Sequence, residues 1–368
     1  MTARLSDAPP AVQGDPDPAT WDAIVGANPR GSYLQLSGWA RVKAVNGWSS
    51  RRLLDPSVPD VGAQVLLRRP GAFPWAFAYA PRGPVLDAWD APSIARFTDL
   101  VRSQLRAGAR VSHLRIDPEI ERNAGPDVDG GVISALTAAG WRPAPPIQPV
   151  STRVIDLTAD EDALYGDLRK KWRQYVNKAR AGGVRVVDAG PERLDDFYRI
   201  YRETADRAGF LIRAKSAYRD AWDAFGPDGR ARLLFAELPD NTPAATLFLV
   251  RSGSRVVEPY GGMTQAGADS RANYLLKWEA IRSSREAGAT TYDLWGLAHP
   301  GIAHFKTGFG GREISYVGAW DLVLDRAGVR TYSIALRARV RVERMRHGLR
   351  GGSGTSAAGY GGDAGGDA

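Results

Sequence analysis

Cysteine is absent from the sequence, and histidine occurs only four times in 368 residues. Without cysteine there is no disulfide bond, no thiolate nucleophile and no zinc or iron–sulfur site with thiolate ligands. The histidines also lack the HExxH spacing of a helical zinc site; they are His113, His299, His304 and His347. We therefore expect no metal site, and any catalysis has to use other groups.

Nucleotide-binding motifs and long apolar runs are missing as well. The segment Lys306-Thr307-Gly308 lacks the preceding glycine that a P-loop requires, and no G-x-G-x-x-G turn is present. No apolar stretch approaches the roughly 18 residues of a membrane-spanning helix, and the acidic, proline-rich N-terminus is unlike a signal peptide. We therefore expect a soluble, cytoplasmic protein without a nucleotide cofactor.

The composition predicts a packed and basic protein. Hydrophobic residues make up 43% of the chain, with 11 Trp, 13 Tyr and 10 Phe, which suffices for one large or two ordinary domains. The formal net charge is +8, and 42 of the 49 basic residues are Arg because Lys occurs only seven times. An Arg excess suits phosphate binding, since the guanidinium is bidentate, but a GC-rich genome produces the same skew. Composition leaves both explanations open.

Strand-like and helical patterns alternate along the chain. Apolar runs typical of strands occur at Ala63–Arg68, Trp75–Ala80, Leu233–Leu238 and Ala245–Arg251. Helical periodicity occurs at Ser93–Ala107, Leu194–Gly209 and Tyr274–Ala287. This alternation predicts an α/β or α+β fold, with mixed sheets flanked by helices.

The chain also resembles itself at an offset of about 180 residues. Arg102–Ala109 aligns with Arg282–Ala289, so that each half has the order strand, strand, long helix, Ala-Gly-Ala turn and strand. Such spacing predicts two copies of one domain, and chance similarity in an Ala- and Arg-rich chain is the alternative. We expect a disordered leader at residues 1–18 and a disordered Gly-rich tail at 349–368.

One segment towards the C-terminus has the character of an active site. Tyr292–Gly296 predicts a strand that runs into a Gly-rich loop, and Lys306 follows Gly296 by ten residues. Because open α/β sheets place active sites at strand ends, we expect Lys306 at a strand terminus. Its charge would there stabilise an oxyanion formed in acyl transfer. The alternative is an ordinary solvated lysine.

Two basic segments predict surface helices. Leu168–Arg180 carries cations with interleaved aromatic residues and ends at Gly182-Gly183, a pattern typical of RNA or phosphate binding. A solvated surface helix is the alternative. Arg337–Arg350 predicts a second basic helix, which faces RNA or anionic headgroups or simply ends the fold. The candidate RNA contacts are Arg169, Lys170, Lys171, Arg173 and Lys178.

Four further polar residues stand out, and each has an ordinary explanation. Asp117 precedes a proline, where Asp often caps a turn, and Arg213 follows a short apolar run, where Arg is often at the surface. Arg82 and Tyr218 are no more specific on their own. None of the four decides a function by itself.

Taken together, these segments resemble the Fem family of peptidoglycan bridge aminoacyltransferases, which share two domains of the GNAT (acyl-CoA N-acyltransferase) type. The match is colinear from about residue 30 to 322. Its pieces are Gln35–Lys43 with Gly47-Trp48, Pro81–Val85, Arg115–Pro118, Gln148, Thr152, Ile155–Leu157, the basic helix to Val184, Tyr260–Gly262, Tyr292–Gly296 and Phe305-Lys306.

The resemblance implies transfer of an amino acid, glycine or another small one, from aminoacyl-tRNA to the stem-peptide amine of a peptidoglycan precursor. The acceptor would be lipid II or UDP-MurNAc-pentapeptide, aminoacyl-tRNA would be a co-substrate with no cofactor needed, and DNA would not be bound. Phe305 and Lys306 would lie at the reacting centre, with Asp117 in the peptide channel. The residues implied to hold the precursor are Lys43, Arg82, Arg213, Tyr218 and Tyr260.

Three departures from the family pattern qualify these roles. Arg213 and Tyr218 are five residues apart where four is expected, so that one of the two is open to reassignment. Glu258 replaces a Tyr that is common two residues before Tyr260. No helical-hairpin insertion follows the basic helix, so that the compact members are the closer model. No general base is evident.

The resemblance also implies where the domains lie. A first GNAT-like domain would span residues 19–153 and be completed by a C-terminal return at 319–348, and a second would span 154–318. A lipid-linked acceptor would suit a peripheral position at the inner face of the plasma membrane. The alternatives are an acyl-CoA-dependent N-acyltransferase, whose pyrophosphate loop is not evident, and a non-catalytic protein that binds RNA or the precursor.

Overall fold

Two seven-stranded sheets form the frame of the protein. The computed structural model describes residues 15–55, 57–71, 73–106, 110–297, 300–332 and 334. Within these ranges each sheet is mixed, because one neighbouring pair of strands is parallel and the other pairs are antiparallel. The predicted α/β class, with mixed sheets flanked by helices, is therefore confirmed.

The strands divide between the sheets as follows. The first sheet contains β1 (Ser49–Asp55), β2 (Val58–Arg68), β3 (Ala76–Ala80), β4 (Val85–Leu86), β5 (Val111–Ile116), β6 (Arg142–Ala144) and β14 (Ala319–Val323). The second contains β7 (Ser151–Asp156), β8 (Arg185–Ala189), β9 (Ala231–Glu237), β10 (Pro243–Ser252), β11 (Arg255–Met263), β12 (Thr291–Asp293) and β13 (Arg312–Ser315).

The helices cover both faces of the sheets. They are α1 (Pro18–Ala27), α2 (Ser37–Ala44), α3 (Ala91–Arg106), α4 (Gly131–Ala138), α5 (Glu161–Asp167), α6 (Lys170–Ala181), α7 (Leu194–Ala208), α8 (Lys215–Phe225), α9 (Gln265–Asp269), α10 (Ala272–Glu286) and α11 (Pro300–Thr307). Among the described residues, none of these helices combines the length and the apolar character that crossing a bilayer requires.

The strand order is the same in both sheets. The first runs β1-β2-β3-β5-β14-β6, with β4 paired to β2, and the second runs β9-β10-β11-β12-β7-β13, with β8 beyond β9. The parallel pair occupies the same place in each, β3 with β5 and β11 with β12. The repeated order that the internal similarity predicts is therefore present. Ala107–Ala109 of that repeat lie outside the described residues.

Each sheet contains one strand from the other half of the chain. Strand β7 follows β6 in the chain but lies in the second sheet between β12 and β13. Strand β14 follows β13 but lies in the first sheet between β5 and β6. This reciprocal exchange ties the halves together, because removing either strand would interrupt a sheet. The predicted domain limits at 153/154 and 318/319 remain predictions.

Three apolar cores follow from this arrangement. A central core joins both sheets and collects α1, α2, α7 and α8, including Trp21, Phe77, Tyr218 and Phe248. A second core lies between the second sheet and α6 and α10, and a third between the first sheet and α3 and α4. The central core buries residues of both halves in one contiguous cluster, so that the two sheets hold their site residues at fixed relative positions.

The N-terminal end of the described chain is ordered further than predicted. Helix α1 begins at Pro18 with Asp17 as its cap, accepting hydrogen bonds from two helix N–H groups. Asp15 accepts a 2.8 Å hydrogen bond from the Arg52 N–H. Residues 15–18 of the predicted leader therefore take part in the hydrogen bonds of the described chain. Residues 1–14, the basic segment Arg337–Arg350 and the tail at 349–368 lie outside the described residues.

Candidate active site

Trp295 lies two residues after β12, where the two halves of the protein meet. Its φ of 60° is in the left-handed region, which is rare for a bulky residue. Asp293 stabilises this turn by accepting a 2.7 Å hydrogen bond from the Trp295 N–H. The Trp295 ring contacts two residues of the first half, Tyr33 at 5.9 Å between centroids and the Arg82 guanidinium at 5.2 Å. Predicted site residues lie on both sides of this tryptophan.

Lys306 is buried and bonds to the same loop. Its Nζ donates to the carbonyl oxygens of Trp295 (3.2 Å) and Gly296 (2.8 Å). Lys306 itself lies in the last turn of α11, so the prediction that it occupies a strand terminus was wrong. The side chain nevertheless reaches the loop that follows β12, and the ammonium therefore lies near the carboxyl end of a parallel strand.

Burial lowers the pKa of Lys306 to about 8. The Glu258 and Asp293 carboxylates oppose that effect, and the Lys277 ammonium adds to it. An ammonium carries three N–H groups, and two of them bond to the carbonyls among the described residues. Lys306 is thus mostly cationic at pH 7, with one donor left for an incoming oxygen.

A buried ion pair lies beside Lys306. Lys277 from α10 bonds to Glu258 of β11, and the Tyr292 hydroxyl donates to the other Glu258 oxygen at 2.8 Å. A β-bulge in β11 shifts the register after residue 257. As a result Tyr260 belongs to the central core, whereas Glu258 bonds to residues that pack on the other face of the sheet.

Phe305 packs beside this ion pair. Its half-buried ring contacts Tyr274 and Phe309, with centroids 5.2 and 5.1 Å apart. The Lys277 ammonium lies 5.8 Å from the centroid of the same ring. Phe305 and Lys306, which the resemblance assigns to the reacting centre, are therefore held by one set of neighbours.

Asp117 lies at the equivalent strand end of the first sheet, directly after β5. It accepts hydrogen bonds from the Tyr79 hydroxyl (2.6 Å), the Arg82 N–H (2.6 Å) and the Gln148 N–H (3.2 Å). Burial raises the pKa of the Asp117 carboxyl, although the Arg82 charge and these hydrogen bonds oppose it. Asp117 also lines a small cleft with Arg82, Gln148 and Tyr316. The resemblance implies a peptide channel at this residue.

A chain of buried charges links the two strand ends. The Arg82 Nε lies 3.2 Å from Glu119, Glu119 pairs with Arg255 at the start of β11, and Arg255 pairs with Asp293. Asp293 in turn accepts a hydrogen bond from the Thr152 hydroxyl. Burial disfavours the charged form of Arg255, but Glu119 and Asp293 outweigh it and raise its pKa. The Arg82 end and the Asp293 end of the site therefore share one electrostatic network.

Apart from Arg82, the residues predicted to hold the precursor are Lys43, Arg213, Tyr218 and Tyr260. Tyr218 and Tyr260 are in edge-on contact at 5.1 Å, and the Arg213 N–H donates to the Tyr218 hydroxyl at 3.2 Å. The five-residue spacing therefore brings the Arg213 backbone to the Tyr218 side chain, and the roles of the two residues stay predictions. Lys43 is buried with its ammonium 5.0 Å from the Trp39 ring centroid. Lys43 and the tyrosines border the same central core.

The basic helix is α6, and Arg169 immediately precedes it. Arg169, Lys170, Lys171 and Lys178 are exposed, as RNA contacts must be. Arg173 differs from them, because its guanidinium donates to the backbone carbonyls of residues 166 and 168. Arg173 therefore stabilises the turn before the helix, which the sequence pattern did not predict.

The start of α6 packs directly on α11. The Trp172 Nε1 donates to the Phe305 carbonyl at 3.0 Å, and the Arg169 N–H donates to the Gly308 carbonyl at 2.9 Å. The Trp172 ring also contacts His304, with centroids 5.7 Å apart. The exposed cations at the start of α6 therefore lie on a helix that contacts α11, the helix that contains Lys306.

Sequence reasoning missed Glu119, Arg255, Lys277 and the central position of Trp295. Each forms its contacts with residues far away in the chain, as Glu119 does with Arg255. One signal was available for Lys277 and Glu258. Both interrupt apolar runs, Leu275-Leu276 before one and Val256-Val257 before the other, and they carry opposite charges. Buried charges of opposite sign on adjacent elements are usually paired.

Comparisons with known proteins place this geometry in context. The model of the FemAB family matches residues 17–242 and 235–335. The chain is 24% identical to the lipid II:glycine glycyltransferase of Staphylococcus aureus (strain MRSA252) and 23% identical to that of Staphylococcus haemolyticus (strain JCSC1435). Each alignment covers 83% of this chain and 91% of the relative.

A solved structure shares the fold. The crystal structure of FemX superposes with a TM-score of 0.77 at 22% sequence identity, covering 84% of this chain and 97% of FemX. At this identity the likeness concerns the fold alone. The two sheets and their exchanged strands thus belong to a known architecture.

Proposed function

Because the chain belongs to the FemAB family, as the order of its motifs predicts, we propose that it transfers an aminoacyl group in peptidoglycan bridge synthesis. The donor is aminoacyl-tRNA, and the acceptor is the stem-peptide amine of a precursor. The names of the relatives make lipid II the first acceptor to test and glycine the first amino acid. No cofactor is needed, since the tRNA ester already supplies an activated acyl group.

The observation that carries this proposal is the contact between the basic helix α6 and α11, the helix that contains Lys306. Exposed cations at the start of α6 suit a nucleic-acid backbone, and Trp172 joins that end of the helix to Phe305 through a 3.0 Å hydrogen bond. Lys306 follows Phe305 and is buried. A tRNA bound along α6 would therefore bring its aminoacylated end towards the buried Lys306 ammonium.

The chemistry that fits this arrangement is aminolysis of an ester. The acceptor amine attacks the ester carbonyl carbon, a C–N bond forms, and the carbonyl electron pair moves to oxygen. Lys306 donates its remaining N–H to that oxyanion, which is the charge that develops in the transition state. The C–O bond to the ribose then breaks, and the proton lost by the amine ends on the ribose oxygen.

The acceptor would approach from the first half of the protein. Asp117 and Arg82 line the cleft at the end of β5, and Arg82 also contacts Trp295, whose carbonyl bonds to Lys306. Tyr218 and Tyr260 lie in the central core between the sheets. In this arrangement Arg82 and Asp117 orient the stem peptide, and Lys43, Arg213 and the two tyrosines hold the rest of the precursor.

The proposal is tested by transfer of radiolabelled glycine from charged tRNA to lipid II and, separately, to UDP-MurNAc-pentapeptide. Lys306→Met keeps the size of the side chain and removes its charge, and we expect kcat to fall by about 10²-fold or more. Lys215→Met is the matched control, since Lys215 is exposed and pairs with Asp195 at the surface. It should transfer at the wild-type rate.

The possible outcomes separate the candidate functions. Label in one precursor, lost in Lys306→Met, supports the transferase and identifies the acceptor. Transfer from acyl-CoA but not from tRNA would assign the protein to the N-acyltransferases. Binding of RNA and precursor without transfer would make it a non-catalytic binding protein.

A further inference from the structure

The Glu258–Lys277 pair is one of the most buried ion pairs of the described chain. The side chains of Glu258 and Lys277 are 5% and 4% exposed. Desolvation of two charges is costly, so that a pair in such a place needs either compensating contacts or a use. Tyr292 supplies one compensating hydrogen bond to Glu258.

The pair lies against the Phe305-Lys306 segment. The Lys277 ammonium is 5.8 Å from the Phe305 ring centroid, and Glu258 and Lys277 are the two charges that act most strongly on Lys306. Glu258 favours the charged form of Lys306, and Lys277 disfavours it. The pair therefore acts on Lys306 with two opposite charges.

Other charged and titratable groups around Lys306 come from every neighbouring element. Asp293 lies on β12 and pairs with Arg255 of β11, so that its charge is already shared. The other titratable groups on these elements contact neighbours of Lys306. Tyr292 on β12 bonds to Glu258, and Tyr274 on α10 packs against Phe305. His304 on α11 and Arg169 before α6 pack against Trp172, and Arg153 on β7 bonds to the carbonyls of residues 310 and 311. Among the charges that act on Lys306, the Glu258 carboxylate is the larger of the two that favour its cationic form.

We propose that Glu258 and Lys277 are positioning residues that control the charge of Lys306, Glu258 keeping it cationic and Lys277 limiting that effect. The inference rests on the proposed function for its consequence in transfer, since a neutral Lys306 would not stabilise an oxyanion. The effect of the pair on the charge of Lys306 does not depend on the proposed function. The two halves of the inference are therefore measured separately.

The charge of Lys306 is measured directly by NMR. The protein contains only seven lysines, so that protein labelled with [¹³C]lysine gives few Cε signals, and the one missing from Lys306→Met belongs to Lys306. Its titration is followed from pH 6 to 11 in wild type, Glu258→Gln, Lys277→Met and the double variant. Glu237→Gln is the matched control, because Glu237 lies in the same sheet as Glu258 and also forms an ion pair, with Arg193.

The single variants should shift the titration of Lys306 in opposite directions. The Glu258 charge favours the ammonium form of Lys306, so we expect the midpoint to fall by about one pH unit in Glu258→Gln. It should rise in Lys277→Met, lie near the wild-type value in the double variant, and stay unchanged in Glu237→Gln. Shifts of the same sign in both single variants, or none in either, overturn the inference.

The test gives a result even if one of the variants does not fold. Glu258→Gln leaves a buried ammonium without its partner and is the variant most prone to unfold, whereas the double variant removes both charges and should fold. If Glu258→Gln does not fold, Lys277→Met decides the matter by its sign: a rise supports the inference, and an unchanged or lower midpoint overturns it.

Transfer assays then test the consequence. The alkaline limb of the kcat profile should move to lower pH in Glu258→Gln and to higher pH in Lys277→Met, whereas a purely structural defect would lower kcat without moving the limb. A wild-type protein that transfers nothing refutes the proposed function and leaves the NMR result standing. Normal transfer with an unmoved limb, despite shifted Lys306 titrations, refutes the link between the pair and catalysis.

Discussion

Replacing Lys306 by Met should make the folded protein more stable at pH 7 while it lowers the kcat of transfer. The side chain is buried, and burial lowers its pKa from 10.5 to about 8. At ~1.4 kcal/mol per pKa unit, holding the charged form in this place costs about 3 kcal/mol. Methionine avoids that cost and has a similar length.

Lost hydrogen bonds reduce the gain. Lys306 donates to the carbonyls of Trp295 and Gly296, and each such bond contributes about 1 kcal/mol net. The variant is therefore expected to be about 1 kcal/mol more stable than wild type at pH 7. Between pH 8 and 10.5 the unfolded lysine binds more protons than the folded one, so that wild-type stability rises with pH through this window. The advantage of the variant should accordingly vanish and then reverse.

The assay is urea unfolding of both proteins, followed by near-UV circular dichroism at pH 7, 8, 9 and 10. Lys215→Met is measured alongside, and its difference from wild type should stay within about 0.5 kcal/mol at every pH because the side chain is exposed. A Lys306→Met variant that is several kcal/mol less stable at pH 7, with a difference independent of pH, would refute the reasoning. Such a result would mean that the ammonium is not desolvated in the folded state.

Three further predictions concern the contacts around this lysine. Asp293→Asn should destabilise the protein by about 2–4 kcal/mol in urea unfolding, because it removes the buried partner of the Arg255 guanidinium. Asp188→Asn, at the half-exposed pair with Arg232, should cost about 0–1 kcal/mol. Equal losses of stability in the two variants would contradict the burial of the Asp293 pair. Trp172→Phe removes the 3.0 Å hydrogen bond to the Phe305 carbonyl of α11, and it should lower kcat about tenfold with the KM for tRNA unchanged. A raised KM alone would place the defect in tRNA binding. Replacing both Lys170 and Lys171 by Gln should weaken tRNA binding in filter assays and reduce its salt slope by about 1–2, and an unchanged slope would mean that tRNA binds elsewhere.

Much of the fold could be predicted from local patterns. The apolar run Leu233–Leu238 lies largely in β9, and Leu194–Gly209 corresponds to α7, which ends at Ala208 because Gly209 takes a φ of 73°. These elements follow from side-chain periodicity and from a glycine that can adopt the left-handed region. The repeat predicts a duplicated order because both halves contain the same succession of such elements.

The reciprocal strand exchange had no comparably local signal. Strand β7 has only six residues and β14 only five, and nothing in either run specifies a partner sheet. The choice depends on hydrogen bonds to strands far away in the chain, such as Thr152 opposite Ile314 and Trp320 opposite Ile116. The prediction that Lys306 occupies a strand terminus failed for a related reason, because a short helix after a Gly-containing loop is hard to distinguish from the loop.

The sequence by itself determined the fold class and the family, and it supplied candidate site residues whose roles stay predictions. It did so because periodicity, glycine positions and the order of motifs are encoded along the chain. Only the tertiary structure decided how these residues act together. Glu119 meets Arg255 across 136 positions, and the pair Glu258–Lys277 lies beside Lys306 because a bulge and two helices bring them there. Burial and long-range pairing set the charge of a lysine, and both arise only when distant segments exclude water together.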